Sequence, residues 1–359
     1  MRSPTLFCML TPAVLLLPCF ASVASAQEPS APQTVATLSE PMPATLYPEA
    51  WCAHCIMPEW DRGYLLHREF DKDPAVVTMY DRSGKKVLET RVVPQNTANV
   101  SLIVTGATHG AGILAAGRGI MTDGSGHRFI ARTDPSGRSV QSVDTGRFTT
   151  RHVCEASDGT VWALGYDLDI HDSSDADRNM LRHYSFQKGL LGAFVSLDSI
   201  AKFPDSYAAV ANSGRSYLHC GKEAVSVYLA PVGQYIEVDA SSERVSRWSV
   251  DMSSAVGSQT RGFAVTDEGR IFVAFANDPD RNGERKHGLY ELRAMPGSPV
   301  AFLVAVDGTV SAFDSYKVVP DGTLLRLWGA DENSLVVSRK GDGWGLSWAK
   351  VLAANTTAE

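Results

Sequence analysis

The chain has 359 residues, 44% of them apolar and 20% charged, with 30 glycines, 18 prolines and a formal net charge of −7. That apolar content excludes intrinsic disorder, the glycines follow no collagen-type period, and the negative charge argues against general nucleic-acid binding or a basic membrane patch. The length suits two average domains or one large β domain.

The N-terminus carries Arg2, then the apolar run TLFCMLTPAVLLLPCFA, then small residues ending in VASA before Gln27. A charged start, an apolar centre and an Ala-x-Ala site make a secretory signal peptide over residues 1–26, cut after Ala26. Two prolines interrupt the run, which lacks the ~20 uninterrupted apolar residues of a membrane span, and no later segment is long and apolar enough to cross a bilayer. The expected mature chain of 359 − 26 = 333 residues is periplasmic or secreted and monomeric. It keeps Cys52, Cys55, Cys154 and Cys220, an even count that allows two disulfides in an oxidising compartment without fixing their pairing.

Residues 27–50 hold five prolines among Ala, Ser and Thr and read as a leader or linker whose end can lend one strand to the fold. Next comes Trp51-Cys52-Ala53-His54-Cys55, similar to the redox motif W-C-x-x-C. It runs into IMPEW and a strand rather than a helix, so the dipole that lowers a redox thiol's pKa is missing. The expectation is a structural disulfide at Cys52 and Cys55, to each other or outward. Zinc held with His54, and a thiol-redox role, are the alternatives.

From there one phrase recurs, a glycine turn followed by a β-rich apolar run: DRGYLLHR, GAGILAAG, SDGTVWALG, NSGRSYLHC, DEGRIFVAF and PDGTLLRLW. The aligned residues Gly63, Gly112, Gly159, Gly214, Gly269 and Gly322 stand 49, 47, 55, 55 and 53 apart. The third unit shows four strands: RHVCEA, TVWALGY, MLRHYSF and LLGAFVSL, with turns at Ser157-Asp158-Gly159 and Gln187-Lys188-Gly189. Six four-stranded units of about 50 residues predict an all-β six-bladed β-propeller over 51–352, with a tail at 353–359, because a small twisted sheet buries both faces only by packing on neighbours around an axis. The fourth turn can instead be placed at Gly221-Lys222 and the sixth at Asp331-Glu332-Asn333.

These phrases resemble the strand-turn-strand signature of secreted bacterial propellers of the NHL-repeat and gluconolactonase-like superfamily. The resemblance covers roughly residues 53–350 and implies a central channel. In the lactonases it implies one divalent cation there, held by Glu, Asn and Asp near the starts of the inner strands. Eight residues before the aligned glycines this chain has Cys55, Val104, Arg151, Ser206, Arg261 and Asp314, followed by Ile56, Thr105, His152, Tyr207, Gly262 and Ser315. Of these twelve, Asp314 is the one carboxylate of the kind such a cation prefers.

Arg151, His152, Arg261 and Asp314 are therefore expected at the channel mouth. Two guanidiniums there favour a small anionic ligand carrying carboxylate or phosphate, and an Arg261–Asp314 ion pair between units is the structural alternative. Asp278, Asp280 and Asn282 in DPDRNG open like a calcium loop, as do Asp175, Asp177 and Asn179, but Leu289 and Phe186 stand where the closing acid belongs. Ca²⁺ is the cofactor these two loops would take. Cys154 and Cys220 fall too far apart on one register and approach on the other, and are read as buried free thiols. The tryptophans of the strand-like runs read as core, and the chain contains no G-x-S-x-G, H-E-x-x-H or P-loop motif. The functional expectation is an exported binding or scaffolding module, not an enzyme, with a ligand or protein partner at the channel mouth. A hydrolase or lyase using the channel is the alternative.

Overall fold

The computed structural model describes residues 42–44, 59–68, 73–167, 178–196, 198, 216–278, 284–285, 287–295, 297–306, 316–317, 327–331, 334–340 and 344–350. Almost all of them are strand or turn. A short strand β1 (Met42–Ala44) precedes a first unit of β2 (Glu59–Asp61), β3 (Tyr64–His67), β4 (Val76–Tyr80) and β5 (Lys86–Arg91). The second unit is β6 (Thr97–Ala107), β7 (Ile113–Met121), β8 (Gly126–Thr133) and β9 (Val140–Asp144). The third is β10 (Phe148–Glu155), β11 (Val161–Asp167), β12 (Asn179–Ser185) and β13 (Gly189–Ser196). The fourth is β14 (Ser216–Cys220), β15 (Ala224–Leu229), β16 (Gln234–Asp239) and β17 (Val245–Asp251).

The fifth unit begins with β18 (Gln259–Val265) and β19 (Ile271–Ala276). A two-residue strand, β20 (Glu284–Arg285), intervenes before β21 (His287–Ala294) and β22 (Val300–Ala305) complete it. β20 pairs with β23 (Tyr316–Lys317). The last unit is β24 (Leu327–Asp331), β25 (Ser334–Lys340) and β26 (Trp344–Lys350), and β1 adds as its fourth strand, antiparallel to β26. The N-terminal stretch thus supplies the closing strand expected of residues 34–50.

Within each unit the strands form an antiparallel meander. The fourth and fifth units also join along their outer edges, where β17 and β22 pair in parallel. The first strands touch in sequence, β2 to β6, β10, β14, β18 and β24, and β24 touches β2 again. They form an inner ring, and the fold is an all-β propeller.

The core explains why. Second strands are buried on both faces, so they read as continuous apolar runs, as in Ile271–Ala276 where every residue is buried. Apolar clusters lie between successive units. Leu66, Val77 and Met79 of the first meet Leu102 and Phe129 of the second. Trp162 and Leu181 of the third meet Val227 and Ile236 of the fourth. Trp60 and Leu65 of the first meet Val336 of the last. Each fully buried Val, Leu or Phe contributes about 1.5–3 kcal/mol, so most of the stabilisation here belongs to contacts between units.

Two glycine positions show how tight the ring is. Arg62 and Gly63 turn the first hairpin with φ of 50° and 80°, the left-handed conformation a two-residue hairpin needs. Gly262 has φ of 146°, and a Cβ there would lie 1.8 Å from the Leu327 carbonyl oxygen, so β18 and β24 approach as only glycine allows.

The repeat register differs from the regular spacing in two units. The hairpin of the fourth lies at Gly221–Glu223 and that of the sixth between Asp331 and Ser334, the alternatives noted above. SYLHC is therefore a first strand, not a second. Gly214 and Gly322 precede the inner strands and lie outside the described residues. The intervals of 55 and 53 ending there matched because in sequence a glycine also precedes the apolar run of a first strand.

Candidate functional site

Four inner strands carry the same irregularity. An extra residue is inserted opposite one bonded step of the second strand: Ile103 in β6, Arg151 in β10, Arg261 in β18 and Trp328 in β24. Such a bulge bends the strand and re-aims its side chain. Each of the four is half-buried, and the residue before each is buried. The bulges thus place Arg151 and Arg261 at one level, on alternate units.

Arg151 Nη2 donates to the Tyr166 hydroxyl at 3.1 Å, with its guanidinium 5.5 Å from that ring's centre. Arg261 Nη2 donates to Gln259 Oε1, and Gln259 Nε2 donates to Asp278 Oδ1. His152, next to Arg151, has its pKa pushed down to about 4 by burial and then by the Arg151 charge, so the imidazole is neutral at physiological pH. Its ring lies 6.3 Å from that of Tyr217 on β14.

Arg151 and His152 thus lie on β10 and Arg261 on β18, two of the inner strands. The structure also ties Asp278, read from sequence as part of a calcium loop, to Arg261 through Gln259. Asp314, Asp280, Asn282, Asp175, Asp177, Cys52 and Cys55 lie outside the described residues. The corrected register puts Trp328, not Asp314, at the bulge of the sixth unit. Among the described residues, no group of three or more His, Cys, Asp or Glu side chains is placed to hold a metal ion.

The other end of the inner strands, at the first hairpins, is built differently. β2 presents Glu59 and Asp61 on one side, and both grip the unpaired edge of β6. Glu59 Oε2 accepts from the Thr105 amide at 2.6 Å and from its hydroxyl, and Asp61 Oδ2 accepts from the Ala107 amide at 2.8 Å. Burial raises both carboxyl pKa values, against the pull of Arg68 on Glu59 and of Arg62 on Asp61. Glu155 Oε2 takes the next alternate amide, that of His109, at 2.7 Å, while Glu155 Oε1 pairs with Arg132 at 2.9 Å. Arg62 donates to His109 Nε2 at 2.8 Å, so Nδ1 carries the ring proton and faces Glu155 at 3.2 Å. The alternation Glu59-Trp60-Asp61 puts both acids on one side of β2, but the amides they take lie 46 positions along the chain.

Cys154 and Cys220 are bonded to each other, with S–S 2.06 Å and Cα atoms 5.7 Å apart. This overturns the free-thiol expectation. On the corrected fourth register both cysteines lie near the hairpin ends of adjacent inner strands, within disulfide range.

No protein-family model matches the sequence, and no curated protein does. Solved structures similar to it include a provisionally named exported protein of Bacteroides fragilis, at 10% identity over 91% of this chain and 98% of that one, TM-score 0.49. The PQQ-bound aldose sugar dehydrogenase of Streptomyces coelicolor is 13% identical over 90% and 100%, TM-score 0.43. A protein provisionally named a gluconolactonase is 12% identical over 88% and 94%, TM-score 0.41. Likeness this distant carries no activity to this chain.

Proposed function

We propose that this protein is an exported six-bladed propeller that binds a small anionic ligand at the mouth of its channel through Arg151 and Arg261. The observation that carries this reading is the shared bulge, which sets two guanidiniums at one level of the inner ring beside a neutral imidazole. Guanidinium forks match carboxylate and phosphate oxygens. Tyr166 and Gln259 each accept a hydrogen bond from one of them and help to orient it. Export is supported by the N-terminal signal pattern and by the Cys154–Cys220 bond, which fits an oxidising compartment.

Thermal denaturation with millimolar carboxylates and inorganic phosphate tests the reading. A ligand at 100 times its Kd adds about 2.7 kcal/mol of stability, so Tm rises with a binding acid, and Arg151→Ala or Arg261→Ala abolishes the rise. Melting that no acid shifts, or a shift that both variants keep, sinks it. Turnover of a carboxylate ester or lactone that depends on His152 would convert the site to the hydrolase reading.

A further inference from the structure

The third and fourth units are tied together twice. At the inner ring, Cys154 of β10 is bonded to Cys220 of β14. Further out, the His183 ring on β12 lies between Thr160, of its own unit, and Glu243, in the turn that joins β16 to β17 of the fourth. Nε2 is 2.8 Å from Thr160 Oγ1, and Nδ1 is 3.3 Å from Glu243 Oε1. The side chain is 10% exposed, and its ring lies flat on the Trp162 indole, with centres 4.1 Å and planes 7° apart.

The protons along this chain can be counted. The Thr160 hydroxyl has one, and gives it to Asp158 Oδ1 at 2.5 Å. Asp158 is partly desolvated, yet hydrogen bonds from the Thr160 hydroxyl and amide hold its carboxyl below the usual range, so it is an acceptor. Thr160 Oγ1 therefore accepts from His183 Nε2–H. A neutral imidazole then has no proton left for Nδ1, whose lone pair would face the Glu243 carboxylate. A doubly protonated ring donates on both sides, and its charge lies on an indole face, the best aromatic partner for a cation.

Among the described residues, the charged groups that face the ring are Asp158, through Thr160, and Glu243. Arg182, the preceding residue of β12, points to the other side of the strand, over Phe148 and towards Asp167. Asp239 closes the turn that carries Glu243. Hydrogen bonds from Ser241 and Ser242 hold it well below the usual carboxylate range, so it stays ionised and adds no pH dependence near neutrality.

We propose that His183 is a proton-operated latch between the third and fourth units. With two protons it bridges Thr160 and Glu243 and holds the β16–β17 turn against its neighbour; with one it keeps Thr160 and releases Glu243. Histidine is the side chain suited to changing charge around neutral pH. The Cys154–Cys220 bond keeps the inner strands together in both states, so the proton controls the outer turn and not the fold.

Hydrogen exchange on the full chain tests this, at about pH 5.5 and about pH 8 with intrinsic rates corrected. The reporting amide is that of Glu243, which donates to the Asp239 carbonyl at 2.9 Å. The wild type is expected to protect it about two- to fivefold more in acid, the range of a half-exposed ion pair. His183→Gln and Glu243→Gln should each make that protection independent of pH. Indole fluorescence separates the two variants. Quenching of Trp162 by the stacked imidazolium should titrate in the wild type and in Glu243→Gln, and vanish in His183→Gln. Equal protection at both pH values in the wild type overturns the proposal. So does a pH dependence that survives Glu243→Gln, a substitution at a side chain 46% exposed that leaves folding intact. A fluorescence titration identical in the wild type and His183→Gln also overturns it.

Discussion

The two ends of the inner strands use charge differently. At the hairpin end Glu155 answers Arg132 and takes the His109 amide of the turn, and Glu59 and Asp61 take the Thr105 and Ala107 amides of the β6 edge. At the mouth end, Arg151 and Arg261 ride on bulges and lean on a phenol and an amide. An inner strand has one unpaired edge, and its backbone groups must be satisfied somehow. The hairpin end spends its charged side chains on that task and gains rigidity. At the mouth end Asp167 also answers Arg147 at 3.4 Å and Arg182 at 3.9 Å, so acids and bases meet there as well.

The largest expected effects fall on the rigid end. The Cys154–Cys220 bond closes a loop spanning 66 positions and joins the third unit to the fourth. By loop-closure entropy its removal costs about 4 kcal/mol. Cys154→Ser with Cys220→Ser should lower the denaturation midpoint accordingly, while anion affinity at the mouth stays within twofold. A variant that loses anion binding but keeps its stability would invert the comparison.

Next in size is Glu155→Gln. Glu155 is 6% exposed and serves Arg132 and the His109 amide together. Taking its charge away leaves Arg132 half-satisfied in a poorly solvated place, at about 2 kcal/mol. Urea denaturation should show the loss as a shifted midpoint at constant slope. Loss of less than about 0.5 kcal/mol would mean the network is solvated and contributes little.

The sequence carried the architecture further than the site. Repeated glycine turns before apolar runs revealed four-stranded units, because turn chemistry and strand alternation are local. The same signal misplaced the turns of the fourth and sixth units: in sequence, Gly214 before the apolar run of β14 looks like the glycine of a turn before a second strand. Once that register slipped, Cys154 and Cys220 seemed unable to meet, and Tyr217 fell outside the candidate positions. Arg151 and Arg261 were found because their units follow the phrase faithfully. The Glu59–Asp61 grip on β6 joins residues 46 positions apart, and only the ring geometry makes it visible.

Acid should separate the groups by sign. His152 at the mouth and His219 beside Arg62 both have pKa values lowered from 6.5 to about 4, mainly by burial. A lowered histidine stays neutral in the folded chain while the unfolded chain takes the proton, so stability is lost as pH falls from about 6.5 to about 4. Glu59 and Asp61 are raised by burial and act in the opposite sense, taking up their proton first in the folded chain and adding stability as pH falls through their raised values towards the ordinary 4.5 and 3.8. Because both histidines keep some exposure, each is worth about 1 kcal/mol between pH 7 and pH 5. His152→Gln and His219→Gln should each flatten the pH dependence of the urea midpoint by that amount. A steeper acid loss in either variant would contradict the sign given to its imidazole.

Tyr166→Phe is the smallest change and the finest probe of the mouth. It removes the hydroxyl that accepts from Arg151 Nη2 at 3.1 Å and keeps the ring beneath the guanidinium at 5.5 Å. A hydrogen bond of this kind contributes about 0.5–1.5 kcal/mol, and the ring contact about as much again. Because the retained ring still orients Arg151, folding stability should fall by less than about 1 kcal/mol, and anion affinity by about two- to fivefold. Arg151→Ala, by contrast, should lose binding outright. If Tyr166→Phe instead costs more than about 2 kcal/mol of stability, Arg151 is locked as firmly as Arg132. The guanidinium would then be a strut between strands, and the contrast between the two ends of the channel would disappear.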